Sequence, residues 1–273
     1  MHHHPTENLK THQEKLIALI PEVVPVEKIY LLGTTISQQQ TESIFLTAAS
    51  TNESLSHYYL LALVNKEAAN SDHYVQDKIE NTCRSFLPVT AIVLDIAVFN
   101  NWLLAGHRFA CTVIKIAALF YGSNNMPLAN PADIPEEDLN KTDQPCCTQA
   151  INRVKEFIAG ADLYILRAQN KMAAFMLHQA AEHALLAVFK NATGLHVNTH
   201  NIDKLIRYCS MVSYKIPAIF PRNNDANEKL FQLLQKAYID TRYKEDYTIT
   251  TIELLIIMGR LKTLQVQMQK AIG

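Results

Sequence analysis

From residue 148 onward, apolar side chains recur at three- and four-residue spacing, through 150–168, 171–191, 201–212, 226–242 and 251–271. That period belongs to one face of a helix, because side chains on a strand alternate every second residue. Gly194 stands where the second segment should end, and Thr199 with Asn201 stands where a cap for the third belongs. Five helices with short joints read as a bundle. The preceding stretch, MPLANPADIPEEDLNKTDQP at 126–145, carries four of the ten prolines and almost no periodic pattern. It reads as a linker. The expected organisation is therefore a first domain over 1–125, a linker over 126–147 and a helical domain over 148–273.

Ahead of the linker the pattern changes. Residues 7–19 are amphipathic and read as a helix, and KIYLLGTTI at 28–36 reads as a buried strand that turns at Gly33. SIFLTAAS (43–50), YYLLALVN (58–65) and VTAIVLDIAVF (89–99) are further strand-like runs. Ser71 to Phe86 reads as a helix capped by Ser71, with Val75, Ile79, Cys83 and Phe86 on one face, and 101–122 reads as helical for much of its length. This order predicts a small mixed sheet with helices packed on it.

Composition narrows the class. Apolar residues make up 48% and charged residues 19%, as in a folded globular chain. The net charge of −1 conceals an asymmetry: residues 1–145 hold 9 basic and 16 acidic side chains, and 146–273 hold 16 and 10. The basic back half is the better partner for an anion, although opposite charges would equally help two domains dock. Five scattered cysteines without a CxxC pair suggest neither a disulfide framework nor a cysteine zinc site. The start, MHHHPTENLK, lacks the order of a signal peptide, and no apolar run approaches the roughly 18 residues of a bilayer span. A cytoplasmic protein with no membrane contact is expected.

Two segments carry a specific resemblance: LHQAAEHALLAVFK at 177–190 and AYIDTRYKEDYTIT at 237–250. Together they resemble the second and last helices of a HEPN domain, and THNIDKLIRYC at 199–209 is similar to that family's short third helix. The front half resembles the minimal nucleotidyltransferases that accompany HEPN domains. The resemblance implies an α+β chain: a small mixed-sheet nucleotidyltransferase-like domain, then an all-α, up-and-down HEPN bundle. It also implies a homodimer or higher homo-oligomer. Leu254, Leu255, Ile256 and Ile257 agree, since four consecutive apolar residues cannot all face one core.

The same resemblance exposes what is missing. HEPN ribonucleases use Arg-x4–6-His, in which histidine exchanges a proton and arginine stabilises phosphate charge. Here Arg242 is followed at that distance by Tyr247, Thr248 and Ile249, and no other arginine has a histidine at the required spacing. Nucleotidyl transfer needs paired carboxylates to hold two Mg²⁺ ions. Gly33-Thr34 stands where the family has a phosphate-holding Gly-Ser, but His57-Tyr58-Tyr59 occupies the Asp-x-Asp position. Asp95 is the one acid on the later strand, and Glu42 and Glu53 stand alone. His178, His183, His196 and His200 lack an acid or cysteine to complete a tetrahedral zinc site. No catalytic residue, metal or cofactor is expected.

What remains is a polar set with binding potential: Gln179, Glu182, His183, His200, Arg242, Tyr243 and Tyr247, with Gly33 and Thr34 in the front half. Arg242 suits bidentate phosphate contact, and Tyr243 or Tyr247 could stack on a base. Alternatively Arg242 pairs with Glu182 or Glu245 and the tyrosines are core residues. The function expected is non-catalytic nucleotide or RNA binding at the basic helical domain. Two alternatives stand beside it: an enzyme with an atypical residue set, with Glu182 as general base, and a structural subunit of a defence or toxin–antitoxin assembly.

Overall fold

The computed structural model describes residues 5–41, 50–65, 72–123, 125–133, 135 and 144–272. Two compact units divide the chain, Met1–Leu139 and Asn140–Gly273. The architecture is α+β, a four-stranded mixed sheet in the first unit and helices throughout the second.

Helix α1 (Pro5–Val23) leads into strand β1 (Val26–Thr41), which pairs antiparallel with β2 (Ser50–Val64). Helix α2 (Asp72–Cys83) crosses over to β3 (Val89–Asp95), which lies parallel to β2, and β4 (Ala118–Gly122) closes the other edge beside β1. The strand order is β3-β2-β1-β4. A parallel neighbour requires such a crossover, because a tight hairpin can join only antiparallel strands. On one face Ile29, Tyr58, Leu60, Ala62, Val89 and Ala91 form a core with Leu16 and Ile20 of α1 and Val75, Ile79 and Cys83 of α2. Tyr59, Leu61 and Leu63, on the opposite side of β2, are buried too, so the central strand reads as a continuous apolar run.

Three sequence expectations change here. Strand β1 does not turn at Gly33; it runs on to Thr41, with Gly33 opposite Tyr59 and Thr34 opposite Tyr58. The run at 89–99 ends as a strand at Asp95, whose carboxylate accepts from the Ala97 amide at 2.9 Å and caps helix α3 (Ile96–Leu104). The helical pattern at 101–122 breaks at Gly106, whose φ of 69° is a left-handed conformation that favours glycine. Helix α4 (Arg108–Ile116) follows the break, and the remaining ALFYG is strand β4. The strand expected at 43–50 lies outside the described residues except for Ser50, as does the proposed cap Ser71.

The second unit comprises α5 (Gln144–Leu166), α6 (Asn170–Thr193), α7 (Ile202–Ser210), a short α8 (Lys215–Ile219), α9 (Asp225–Tyr243) and α10 (Thr251–Ile272). Helix α6 is central and packs against α5, α7, α9 and α10. Alanines 173, 174, 180, 181 and 184 are buried along it, and their small size lets neighbouring helices approach. Length and composition alone would allow α6 to cross a membrane, contrary to the sequence expectation, and its burial by four helices is the reason it is so apolar. The helix ends are chemically specified. Gly194 takes φ 79° beyond α6, Asn201 caps α7 by accepting from the Lys204 amide, and Thr250 with Glu253 forms a reciprocal capping box at α10. On α10, Leu254 and Ile257 are buried while Leu255 and Ile256 are exposed.

Candidate functional site

Glu182 is the centre of the polar set. It projects from the middle of α6 and is only 5% exposed, so its charge needs partners. His200, in the loop before α7, donates its Nδ1–H to both carboxylate oxygens at 3.0 and 3.1 Å. Gln179, one turn earlier on α6, donates its Nε2–H at 3.3 Å. His178 lies 3.5 Å from the same carboxylate through Nε2, an electrostatic contact rather than a formed hydrogen bond. The His178 ring is fully buried and its Nδ1–H donates to the Leu234 carbonyl at 2.9 Å, which fixes its orientation. Burial pushes the Glu182 carboxyl upward, but its contacts with His178 and His200 outweigh that and hold it below the ordinary carboxylate range.

Helix α9 supplies the second layer. Tyr238 stacks on His200 with ring centroids 4.1 Å apart and planes at 17°, and its hydroxyl lies 3.3 Å from His200 Nε2. Arg242 is one turn on; its guanidinium carbon sits 4.3 Å from the Tyr238 ring centre, 5.2 Å from Tyr243 and 5.6 Å from Phe175. The Arg242 Nε–H donates to the Tyr238 carbonyl at 2.8 Å. Its two terminal nitrogens find no carboxylate among the described residues, so the alternative pairing with Glu182 or Glu245 does not form. An exposed guanidinium, braced against an aromatic face, is suited to planar recognition of phosphate.

The remaining expected residues are dispersed. Tyr243 is 75% exposed beside Arg242, open to stacking. His183 stacks on Phe157 of α5 at 5.3 Å, at the margin of the cluster; burial leads the causes that lower its pKa. Tyr247 is corrected outright. It is buried, its hydroxyl donates to the Leu233 carbonyl at 3.0 Å, and desolvation raises its pKa, so it is a core residue. Sequence reasoning missed Tyr238 and Phe175 as the platform under Arg242. The signal was available, because Tyr238 precedes Arg242 by four residues in AYIDTRY and so shares its helix face.

Among the described residues, the front half offers no comparable cluster. Gly33 and Thr34 lie mid-strand, so they form no phosphate-holding turn. The positions expected for paired acids carry hydrogen-bonded side chains that are not carboxylates. His57 Nε2 meets the Thr90 hydroxyl at 2.8 Å, the Tyr58 hydroxyl meets His12 Nδ1 at 3.0 Å, and the Tyr59 hydroxyl meets Thr35 at 3.1 Å. Burial pushes the Tyr58 pKa up to about 12. Asp95 is engaged as a helix cap. Among the described residues no group of three or more His, Cys, Asp or Glu side chains could hold a metal ion.

A helical unit built around a buried Glu–His pair, with an arginine on its penultimate long helix, is the class this geometry defines. Residues 147–262 match the HEPN domain family, and this chain carries a HEPN domain there. Among solved structures the chain is similar to TT1696 from Thermus thermophilus, at 18% identity and TM-score 0.33, over 46% of this chain and 97% of that one. It is also similar to a nucleotidyltransferase-like protein from Exiguobacterium sibiricum, at 11% identity and TM-score 0.30, over 94% and 73%. No curated protein gives a significant match.

Proposed function

We propose that this protein binds nucleotides or RNA without catalysis, through the Arg242–Tyr238–His200 surface of its HEPN domain. The observation that carries this is Arg242: exposed, stacked on Tyr238 and without a carboxylate partner among the described residues. A guanidinium that only organised packing would be expected to have its terminal nitrogens engaged. Tyr243 beside it supplies a face on which a base can stack, a contact worth about 1–3 kcal/mol.

The enzymatic alternative fits less well. Glu182, its general base, is buried, holds a depressed pKa and already accepts from His200 and Gln179. A base so stabilised as its anion is a weak proton acceptor. In the front half, hydrogen-bonded side chains that are not carboxylates and a capping Asp95 support a nucleotidyltransferase-like frame retained without metal chemistry.

Self-association is a second element of the reading. Ile252, Leu255, Ile256 and Val266 are all exposed on α10, and a Cβ added at Gly259 between them would meet nothing within 4 Å. An apolar stripe with an open glycine favours close packing of a second copy.

A thermal-shift screen of nucleoside mono-, di- and triphosphates and short RNAs, with and without Mg²⁺, tests the binding proposal. A ligand at 100 times its Kd adds about 2.7 kcal/mol to the stability of the folded state. The expected result is a shift that does not need Mg²⁺ and is lost in Arg242→Ala. Identical shifts in the wild type and this variant would refute the assignment of the site.

A further inference from the structure

Arg222, in the segment between α8 and α9, is placed as Arg242 is. Its guanidinium carbon sits 3.6 Å from the centre of the Phe231 ring, as that of Arg242 sits 4.3 Å from Tyr238. Phe231 and Tyr238 are seven residues apart on α9. At ~3.6 residues per turn that is about two turns, so the two side chains leave the helix within about 20° of one direction and about 10 Å apart along it. Gln235, between them, faces the same side, since its side-chain oxygen accepts from the Asp203 amide at 3.0 Å. The chain running beside α9 keeps the same order: His200 stacks on Tyr238, Asp203 meets Gln235 and Arg222 covers Phe231. One face of the helical unit therefore carries two arginine–aromatic stations joined by a row of polar side chains.

Charge at the second station is unevenly matched. Asp203 accepts from Arg222 through one carboxylate oxygen and from Arg207 through the other at 3.2 Å, so one acid divides its charge between two guanidinium groups. All three side chains reach solvent, each about a third exposed. Arg222 commits one terminal nitrogen to Asp203 and has no other acceptor among the described residues. An ion pair at the surface adds little stability, so the fold gains little by drawing a second guanidinium to this carboxylate.

We infer that this face holds a single strand of RNA at two phosphates, one at Arg242 and one at Arg222, with the strand running along α9. The inference rests on the reading of the Arg242 surface as a nucleotide site, and it names the ligand as an oligonucleotide rather than a free nucleotide. A stacked strand carries one phosphate per ~3.4 Å, so a span of about 10 Å takes in about three of them. A mononucleotide cannot reach both stations. Once a strand is held at Arg242, its contact with Arg222 is intramolecular and adds affinity without a second loss of translational freedom. Asp203 repels the strand that the two arginines attract, so its charge works against binding.

The test is titration calorimetry of the full chain with adenosine 5′-monophosphate and with oligoadenylates of two, four and six nucleotides, at several salt concentrations. Affinity should rise at least about tenfold from the mononucleotide to the tetranucleotide and level off by the hexanucleotide. Arg222→Gln should erase that rise and lower the salt slope of tetranucleotide binding by about 0.7, the share of one phosphate contact on a single strand. Asp203→Asn should act in the opposite direction and tighten the tetranucleotide. Where Arg222→Gln fails to fold, a tetranucleotide no tighter in Asp203→Asn than in the wild type overturns the inference. Equal wild-type affinities for the mononucleotide and the tetranucleotide, or a tetranucleotide affinity indifferent to both substitutions, would overturn it too and leave nucleotide binding at Arg242 intact. No binding of any of these ligands by the folded wild type would overturn the underlying reading as well.

Discussion

Replacing Glu182 with glutamine tests the electrostatic organisation of the HEPN core in a single isosteric step. In the wild type the carboxylate accepts from His200 and Gln179 and lies 3.5 Å from His178 Nε2. A glutamine offers one acceptor and places an NH₂ among groups that are themselves donors. Hydrogen bonds to a charged group contribute about 1.5–3 kcal/mol, and removing the charge leaves buried donors without an acceptor. At pH 7 the variant should therefore lose about 2–3 kcal/mol. With a slope of about 1–3 kcal/mol per molar urea, the unfolding midpoint of the helical unit should fall by about 1 M or more, followed by circular dichroism. The pH dependence has a definite sign. The folded pKa of Glu182 is lowered from the ordinary 4.5, so its contribution is complete above that value and is lost as pH falls through the lowered folded value. The wild-type advantage should persist at pH 5.5 and shrink at pH 3. A glutamine variant within about 0.5 kcal/mol of wild type at pH 7 would refute the claim that a buried anion organises this cluster.

Three further outcomes follow from individual contacts. Tyr247→Phe removes a hydroxyl bonded to the Leu233 carbonyl and should cost about 1 kcal/mol by urea unfolding, with nucleotide binding unchanged. Asp95→Ala removes the α3 cap and should destabilise the first unit by about 1 kcal/mol; a lost Mg²⁺-dependent ligand shift in this variant would instead mark Asp95 as a metal ligand. Leu255→Glu with Ile256→Glu places charge on the exposed stripe of α10 and should convert a self-associated protein to monomer by light scattering, while leaving the melting temperature of the monomer within a degree or two.

The helical half was legible because local chemistry and global burial agree there. The period of three and four residues located the five long helices, and Gly194 and Asn201 cap as their residue types predict. The missed element, α8, is five residues long and holds Pro217, too short to show a period. The front half was harder for identifiable reasons. In IVLDIAVF the apolar run continues through Asp95, so nothing in the pattern shows that a strand ends and a helix begins at the cap. A lone glycine suggested a turn at Gly33, but the sheet continues because Tyr58 and Tyr59 pair across it. Glu182 and His200 were named from the sequence, but their direct contact was not, since 18 residues and a loop separate them. Tyr247 shares the AYIDTRYKEDY motif with Arg242, yet it lies beyond the end of α9, where the chain carries its ring into the core.

The central claim is that Arg242 and its aromatic platform form the ligand surface. The most direct measurement is fluorescence anisotropy of a labelled eight-nucleotide single-stranded RNA titrated with wild type and Arg242→Ala at a fixed, moderate salt concentration. The account predicts saturable binding by the wild type and at least about tenfold weaker binding by the variant, equivalent to about 1.4 kcal/mol. Equal affinities, with both proteins folded, would contradict it.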